Sequence, residues 1–254
     1  MNAIKSKKAI IIAIVSVLLV AIIVCGIIFI PKLVNKDEKK SETEIAPCEY
    51  NLSKETVYDA DGGIIHSLEY VYDEKGNLVE KHSEAVLTGE GPLTLYKYAY
   101  DSDGNMVEEI YRDIVSGYYT TKFDYDSQGR MVKETVYDID GELSYWYEYT
   151  YDSQGKMIKS IGNNFWSEYT YDAQGNLIKE MCYEKDQSFF FSIEYTYNEN
   201  GKLVKEVRYD SDGDVNWWYE YTYNENGCMT KRTDYDENNI RTGWIIYNYD
   251  MVIQ

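Results

Sequence analysis

Histidine, proline and basic residues are scarce in this sequence. Its 254 residues include two histidines, His66 and His82, and three prolines. Two histidines leave little room for a histidine-based metal site or catalytic triad. Lys and Arg total 25 against 44 Asp and Glu, a formal charge of −19, so the chain lacks the basic face that phosphate contacts require. We expect no nucleic-acid partner, no bound metal and no cofactor.

The motifs of common enzyme classes are also missing. The sequence has no GxSxG, HExxH, Walker loop, or GxGxxG in a strand–turn–helix setting. The D-x-D-G segments resemble calcium loops only faintly: with Gly104 as the sixth residue of an EF-hand loop, Ala99 takes the first position, where an acid is required. Acids recurring at fixed positions are typical of turns and solvated strand edges. We therefore predict a protein without catalytic residues.

Four cysteines give no closed disulfide framework. Cys25 lies in an apolar run, which leaves Cys48, Cys182 and Cys228 as an odd set. Cys182 and Cys228 are two repeats apart, a separation that we expect to be too large for a bridge unless the sheet curls. The sequence therefore predicts unpaired cysteines.

The N-terminal part of the chain reads as a membrane anchor. Residues 9–30 are 22 consecutive uncharged residues, about 33 Å of helix, which is enough to cross a bilayer core. The basic start favours a cytoplasmic tail at residues 1–8, and residues 31–49 read as a solvated stalk. We expect a single-pass protein of the cell membrane, with residues 50–254 forming one extracellular domain.

Tyrosine is abundant, with 28 copies, because one phrase repeats along residues 50–254. Its seven copies are EYVYDEKGNLVEK (69–81), KYAYDSDGNMVEE (97–109), KFDYDSQGRMVKE (122–134), EYTYDSQGKMIKS (148–160), EYTYDAQGNLIKE (168–180), EYTYNENGKLVKE (194–206) and EYTYNENGCMTKR (220–232). Looser turns such as YDIDG (137–141) fall between them. The chain is thus predicted to reverse about every 13 residues.

Turn chemistry explains the phrase. Asp or Asn at the first position and Gly at the fourth are typical of a type I turn followed by a left-handed residue, the bulged hairpin loop. The carboxylate can accept hydrogen bonds from backbone amides across the turn. Alternating Tyr-Thr-Tyr before the turn and apolar pairs after it suit strands. We predict an all-β fold: an antiparallel meander of about 14–16 strands, forming a curled or open sheet after one transmembrane helix.

Pairing across the turn predicts two different faces. Tyr151 should oppose Met157, with Tyr149 on the same side, and this Tyr-Tyr-Leu/Met face is the stronger core candidate. The opposite face is mixed, with Thr150 facing Ile158 and the Glu of each EYTY phrase beside them. Equivalent pairs are Tyr171 with Leu177, Tyr197 with Leu203, Thr170 with Ile178 and Thr196 with Val204.

The seven YDxxG phrases resemble the YD repeats of the Rhs family, which also occur in wall-associated bacterial proteins and teneurins. The resemblance covers roughly residues 50–250. It implies β-strands that curl into a spiralling hollow shell, in some members around a C-terminal toxin. This sequence has far fewer repeats and ends at YNYDMVIQ after a last YD, so we expect no toxin domain. What the resemblance implies here is a curled sheet and a surface location.

Tryptophan placement supplies the candidate ligand site. Four of the five Trp lie six residues before a turn Asp or Asn, on the mixed face and close to the repeated Glu. Because strands are about 4.8 Å apart, such rings on alternate strands would form a stripe suited to stacking sugars. The candidate residues are Trp146, Trp166, Trp218, Trp244, Glu148, Glu168 and Glu220. The alternative is that these rings merely cover neighbouring aliphatic side chains.

Three functions remain open after these observations. The first is a non-enzymatic binding or adhesion module for a cell-wall or host glycan, or for a surface protein. The second is a carboxylate-based hydrolase of wall polymer or glycan, or an accessory to one. The third is a structural spacer that binds no ligand.

Overall fold

The computed structural model describes residues 50–84, 94–113 and 117–251, which form sixteen β-strands. The strands are β1 (Tyr50–Asp59), β2 (Ile64–Tyr72), β3 (Leu78–Glu84), β4 (Thr94–Tyr100), β5 (Met106–Asp113), β6 (Gly117–Tyr125), β7 (Met131–Tyr137), β8 (Leu143–Tyr151), β9 (Met157–Gly162), β10 (Phe165–Tyr171), β11 (Leu177–Glu184), β12 (Phe189–Tyr197), β13 (Leu203–Tyr209), β14 (Val215–Tyr223), β15 (Met229–Asp236) and β16 (Arg241–Met251). The predicted all-β, antiparallel arrangement and the predicted number of about 14–16 strands agree with the structure.

The sheet closes on itself. Each strand pairs with its sequence neighbours, and β16 pairs antiparallel with β1 from Tyr50↔Met251 to Asp59↔Gly243. The expectation of a curled or open sheet is therefore wrong: the fold is a closed barrel. Closure gives both terminal strands a partner, so neither exposes an unpaired edge that could recruit another strand.

The predicted transmembrane helix at 9–30 lies outside the described residues, as do the tail at 1–8 and the stalk at 31–49. Within the part of the chain that the structure describes, no helix is long and apolar enough to cross a membrane. As an account of that part, a single-pass helical protein of the cell membrane is wrong, because strands make up all of its regular structure.

The hairpin turns have the predicted chemistry. In the turn between β8 and β9, the amide of Gly155 donates to the carbonyl of Asp152 at 3.1 Å, and Gly155 has a φ of 83°. The Asp152 carboxylate accepts from the amides of Gln154 and Lys156 at 2.8 and 2.9 Å. Glycine takes this left-handed conformation without the steric cost that a Cβ would add. The carboxylate therefore holds the turn closed, and the interpretation of D-x-D-G as turn chemistry is confirmed here.

A β-bulge follows each of these turns and changes which residues face inward. Tyr151 pairs with Met157 as predicted, but Thr150 pairs with Lys159 and not with Ile158. The same shift places Thr170 opposite Lys179 and Thr196 opposite Lys205. The predicted pairs of these threonines with Ile178 and Val204 are wrong for the same reason. One extra residue inverts the alternation of faces for the rest of the strand.

A second series of bonds links successive hairpins on the inside. The last tyrosine before each YD turn donates its hydroxyl to a backbone carbonyl near the start of the previous hairpin's second strand. Tyr197 donates to the carbonyl of Leu177 at 2.9 Å, and Tyr223 to that of Leu203 at 2.7 Å. The other bonds of this series are Tyr72 to Leu52, Tyr100 to Leu78, Tyr125 to Met106, Tyr151 to Met131 and Tyr171 to Met157. The repeated tyrosine thus joins neighbouring repeats as well as filling the interior.

The cysteines differ from the sequence prediction. Cys182 is buried and free, whereas Cys228 is disulfide-bonded. The prediction that all the cysteines are unpaired is therefore wrong for Cys228.

Candidate functional site

The four tryptophans predicted to stack sugars lie on the outer face of the barrel. Trp146 is on β8, Trp166 on β10, Trp218 on β14 and Trp244 on β16. β11, β12 and β13 separate the second ring from the third, so the stripe is interrupted. The structure brings these rings together only as two pairs, Trp146 with Trp166 and Trp218 with Trp244, each pair separated by one strand.

Neighbouring side chains cover the faces of these rings. Trp218 stacks on Tyr235 with centroids 3.8 Å apart and an interplanar angle of 2°, and Lys205 lies 4.2 Å from its centroid. Trp166 lies between Tyr183 at 4.2 Å and Lys159 at 4.4 Å. Stacking of a sugar on these rings would require the tyrosine or the lysine to move away.

The acids predicted beside these rings belong to an outer belt of cross-strand Lys–Glu pairs. Glu148 forms an ion pair with Lys133 at 3.3 Å. Glu168 lies opposite Lys159, and Glu220 lies opposite Lys205. The other close pairs are Lys54–Glu69 at 3.3 Å, Lys97–Glu80 at 3.7 Å and Lys179–Glu194 at 3.0 Å. Sugar binding by the four tryptophans and three glutamates stays a prediction.

The inside of the barrel carries a second polar set that sequence reasoning missed. One residue from every strand, at equivalent repeat positions, forms what we call the inner belt. Its members are Glu55, Tyr70, Lys81, Tyr98, Glu109, Phe123, Glu134, Tyr149, Ser160, Tyr169, Glu180, Tyr195, Glu206, Tyr221, Arg232 and Tyr247. Aromatic rings alternate around the belt with polar or charged groups.

Tyrosine hydroxyls bind the glutamates of the inner belt. Tyr70 donates to Glu55 at 2.5 Å and Tyr221 donates to Glu206 at 2.8 Å. Tyr149 donates to Glu134 at 2.9 Å. Burial, followed by the neighbouring carboxylate, raises the pKa of Tyr70, Tyr149 and Tyr221 well above the ordinary value, so these hydroxyls keep their protons and act as donors.

The inner belt is short of positive charge. It contains five glutamates against Lys81 and Arg232. Burial raises the pKa of Glu109 and of Glu206 to about 7, and burial also raises the pKa of Glu134 and Glu180. A carboxyl with a pKa near 7 exchanges a proton at neutral pH and can donate or accept a hydrogen bond.

Arg208 lies on β13 at the next inward-facing position after Glu206. It pairs with Ile193 on β12 and with Trp217 on β14. Its guanidinium lies 3.8 Å from the Phe191 ring centroid and 5.9 Å from that of Trp217. The residue is 8% exposed, so this cation lies beside aromatic rings within the barrel.

Two polar groups at this position keep hydrogen-bonding capacity. The Oε1 atom of Glu206, a residue with 0% exposure, has no hydrogen-bond partner within the described ranges. Arg208 contacts the two rings, and no hydrogen bond or ion pair joins it to another described residue. By contrast, Arg232 on the next hairpin donates twice to Asp234, at 2.8 and 2.9 Å. Buried polar atoms without partners are uncommon, and in the described residues they are Glu206 Oε1 and His82 Nδ1; Glu206 is the one that lies next to Arg208.

These residues escaped sequence reasoning because of the bulge. Strict alternation from Leu203 places Lys205 and Val207 inside, whereas the bulge places Glu206 and Arg208 there. The recurrence of an acid at the fifth residue after the turn glycine was the available indication, seen at Glu109, Glu134, Glu180 and Glu206. Trp217 escaped because it departs from the repeat position that the other four tryptophans share.

Comparison with known proteins bears on the fold. No protein-family model and no curated protein matches the chain. The crystal structure of a porin-like protein from Bacteroides uniformis is similar with a TM-score of 0.50 and 11% identity, over 78% of this chain and 98% of that one. A porin-like protein from Bacteroides vulgatus gives 0.37 and 11%, over 79% and 99%. The first of these supports a likeness of fold.

The crystal structure of TcdB2-TccC3-Cdc42 also matches, with a TM-score of 0.27 and 12% identity, over 77% of this chain and 16% of that one. A score this low carries no structural argument. The resemblance to YD repeats therefore rests on the repeated residues themselves.

Proposed function

We propose that this barrel is a non-enzymatic binding protein that holds a hydroxyl-rich ligand, such as a segment of glycan, inside the barrel. The observation that carries the proposal is the Oε1 atom of Glu206, which has no hydrogen-bond partner among the described residues, next to Arg208, whose guanidinium lies beside the rings of Phe191 and Trp217. Ligand sites are typically apolar and aromatic walls with a few converging polar groups. Sugars match such walls because their C–H faces stack on rings and their hydroxyls need donors and acceptors.

Barrel size supports an interior site. Sixteen strands spaced about 4.8 Å apart give a perimeter of about 77 Å, so the interior is wider than that of eight-stranded barrels, which side chains fill or which hold one small ligand. The aromatic inner belt would then form the walls of the ligand space.

The outer face supports function in water. The outer belt places Lys–Glu pairs midway along the strands, for example Lys133–Glu148 and Lys179–Glu194. A barrel that spans a bilayer presents an apolar band about 25 Å tall, and charged groups at its middle are costly. The description of the solved protein as porin-like supports a surface protein; the belt favours a wall that faces solvent.

The experiment compares two adjacent tryptophans on opposite faces. Glycan-array binding is measured for the full-length chain and for the variants Trp217→Ala and Trp218→Ala. An interior site predicts that Trp217→Ala weakens binding at least about tenfold, as for a central aromatic contact, while Trp218→Ala leaves it unchanged.

Two outcomes contradict the proposal. Loss of binding in Trp218→Ala alone would assign the ligand to the outer tryptophans. Absence of any glycan binding by the wild-type chain would favour a structural spacer. Thermal unfolding of both variants checks that the barrel remains folded.

A carboxylate-based hydrolase is a second candidate, favoured by the pKa of about 7 for Glu109 and Glu206. An enzyme that cleaves glycosidic bonds needs a general acid that is still protonated near neutral pH. Release of reducing sugar from wall polymer, abolished by Glu206→Gln or Glu109→Gln, would establish this activity. No release by the wild-type chain would remove the candidate.

A further inference from the structure

Arg208 has hydrogen-bond donors that a ligand could use. An arginine carries five N–H donors and stays protonated in proteins. Its guanidinium carbon lies 3.8 Å from the Phe191 ring centroid and 5.9 Å from that of Trp217, and a cation held over a ring face keeps its N–H groups for other acceptors. In the described residues none of these donors has a partner, although Arg208 is more than nine-tenths buried.

We infer that the ligand of the interior site carries a carboxylate, as a hexuronic acid does, and that Arg208 binds this carboxylate. The inference rests on the proposed interior glycan site and names its ligand class. Arginine suits the task because its planar fork matches the two oxygens of a carboxylate. Trp217 would contact the sugar ring, Phe191 holds the guanidinium in place at 3.8 Å, and Glu206 Oε1 would bond to one of the sugar's hydroxyls.

Whether an anion can bind beside Arg208 depends on the charges of the titratable groups around it. They are Glu206 on its own strand, Glu180 and Cys182 on β11, and Tyr219 on β14. Burial raises the pKa of both glutamates, that of Glu206 to about 7, and raises the pKa of the Cys182 thiol to about 12 and of Tyr219 to about 12. These shifts favour the neutral forms of all four groups, so they leave the positive charge of Arg208 to the ligand.

One end of the barrel restricts the ligand further. The turns at the end nearest Arg208 include Asp138, Asp140, Asp210, Asp212 and Asp214. Their negative charge would repel a dense polyanion approaching from solution, whereas a single carboxylate on a neutral glycan is repelled far less. The expected ligand is therefore a mostly neutral glycan with isolated acidic residues.

The test uses one pair of probes on the wild-type chain, so that it does not depend on any variant folding. Binding of methyl glucuronide and of its uncharged methyl ester is measured at pH 6 by calorimetry. Loss of a charge-assisted pair predicts that the ester binds about 10- to 100-fold more weakly. Arg208→Lys, which keeps the charge without the fork, should reduce the preference for the acid, and Arg241→Lys on the outer rim should leave it unchanged.

The outcomes separate the two proposals. Equal binding of the acid and the ester, or tighter binding of the ester, would overturn the carboxylate assignment and leave the interior glycan site intact. Equal preference for the acid in wild-type and Arg208→Lys proteins, with Arg208→Gln also unchanged, would overturn the role of Arg208. Failure of both probes, together with a silent glycan array, would overturn the proposed function itself.

Discussion

Glutamates on the inner and outer faces of neighbouring strands have opposite surroundings. On β13 and β14, Glu206 faces inward with 0% exposure and accepts from the Tyr221 hydroxyl, whereas Glu220 faces outward beside Lys205 and Tyr235. The inner carboxyl has a pKa of about 7 because burial disfavours its charge. Outer glutamates such as Glu148 remain in solvent with a lysine nearby.

This difference shows which face of the barrel carries groups that can gain or lose a proton near neutral pH. Exposed ion pairs contribute little to stability and are screened by salt, so the outer belt serves solubility and strand register. The inner belt holds carboxyls whose protonation changes near neutral pH beside rings and an arginine. The repeat therefore supplies one residue type for two roles, and the bulge decides which role each copy has.

The largest difference in stability is expected between truncation of a packed inner side chain and truncation of an exposed outer one. Ile193→Ala removes a side chain with 0% exposure and should lower the free energy of unfolding by about 2–5 kcal/mol, since a cavity remains. Ile158→Ala, at a position with 40% exposure, should cost under about 1 kcal/mol. Urea unfolding of both variants measures the difference, and equal losses would contradict the assignment of faces.

The second effect is a fall in stability as the pH rises. Glu206 has a pKa of about 7 in the folded protein against an ordinary 4.5. Its protonated form therefore contributes fully to the stability of the folded state below pH 4.5, and this contribution is lost as the pH rises through 7. Between pH 5 and 7 this group alone should remove about 2 kcal/mol from the free energy of unfolding. Glu206→Gln should remove that part of the slope, while Glu148→Gln on the outside should leave it.

The turn aspartates determine where the free energy of unfolding begins to fall on the acid side. Hydrogen bonds from Asn77 and Asn105 lower the pKa of Asp73 and Asp101, so their contribution is present above pH 3.8 and is lost as the pH falls through the lowered pKa. Stability should therefore be greatest between about pH 4 and 5. A maximum at or above pH 7 would show that the inner glutamates are ionised in the folded barrel.

The third effect tests the bonds between repeats. Tyr197→Phe removes the hydroxyl that donates to the Leu177 carbonyl at 2.9 Å and should cost about 0.5–1.5 kcal/mol. Tyr58→Phe is the outer control, because its ring stacks on Trp244 at 5.1 Å and needs no hydroxyl for that contact. Chemical denaturation of both variants should show a loss only for the inner tyrosine.

The smallest effect is expected for an outer ion pair. A double-mutant cycle with Lys133→Gln and Glu148→Gln should give a coupling energy of about 0.2–1 kcal/mol. In 1 M salt the coupling should vanish, because the Debye length falls to about 3 Å. A coupling above 2 kcal/mol that persists in salt would mean that the outer belt is less exposed than the side chains indicate.

Much of the fold could be predicted from the repeat. Asp152 and Gly155 fix a turn whose chemistry is local, and the opposition of Tyr151 and Met157 follows from that turn. The inward position of Glu206 could not be predicted by alternation, since one bulged residue inverts the faces beyond it. The interior candidates Arg208 and Trp217 were missed for the same reason, whereas the four tryptophans that share a repeat position lie on the outer face.

The sequence by itself determined the strand length, the turn positions and the antiparallel order of this protein, because these depend on contacts among residues close in the chain. Closure was decided only in the tertiary structure, since the pairing of Val57 with Ile245 joins segments almost two hundred residues apart. The same is true of the inner belt. A glutamate becomes a buried carboxyl with a pKa near 7 only when sixteen strands surround it and exclude water.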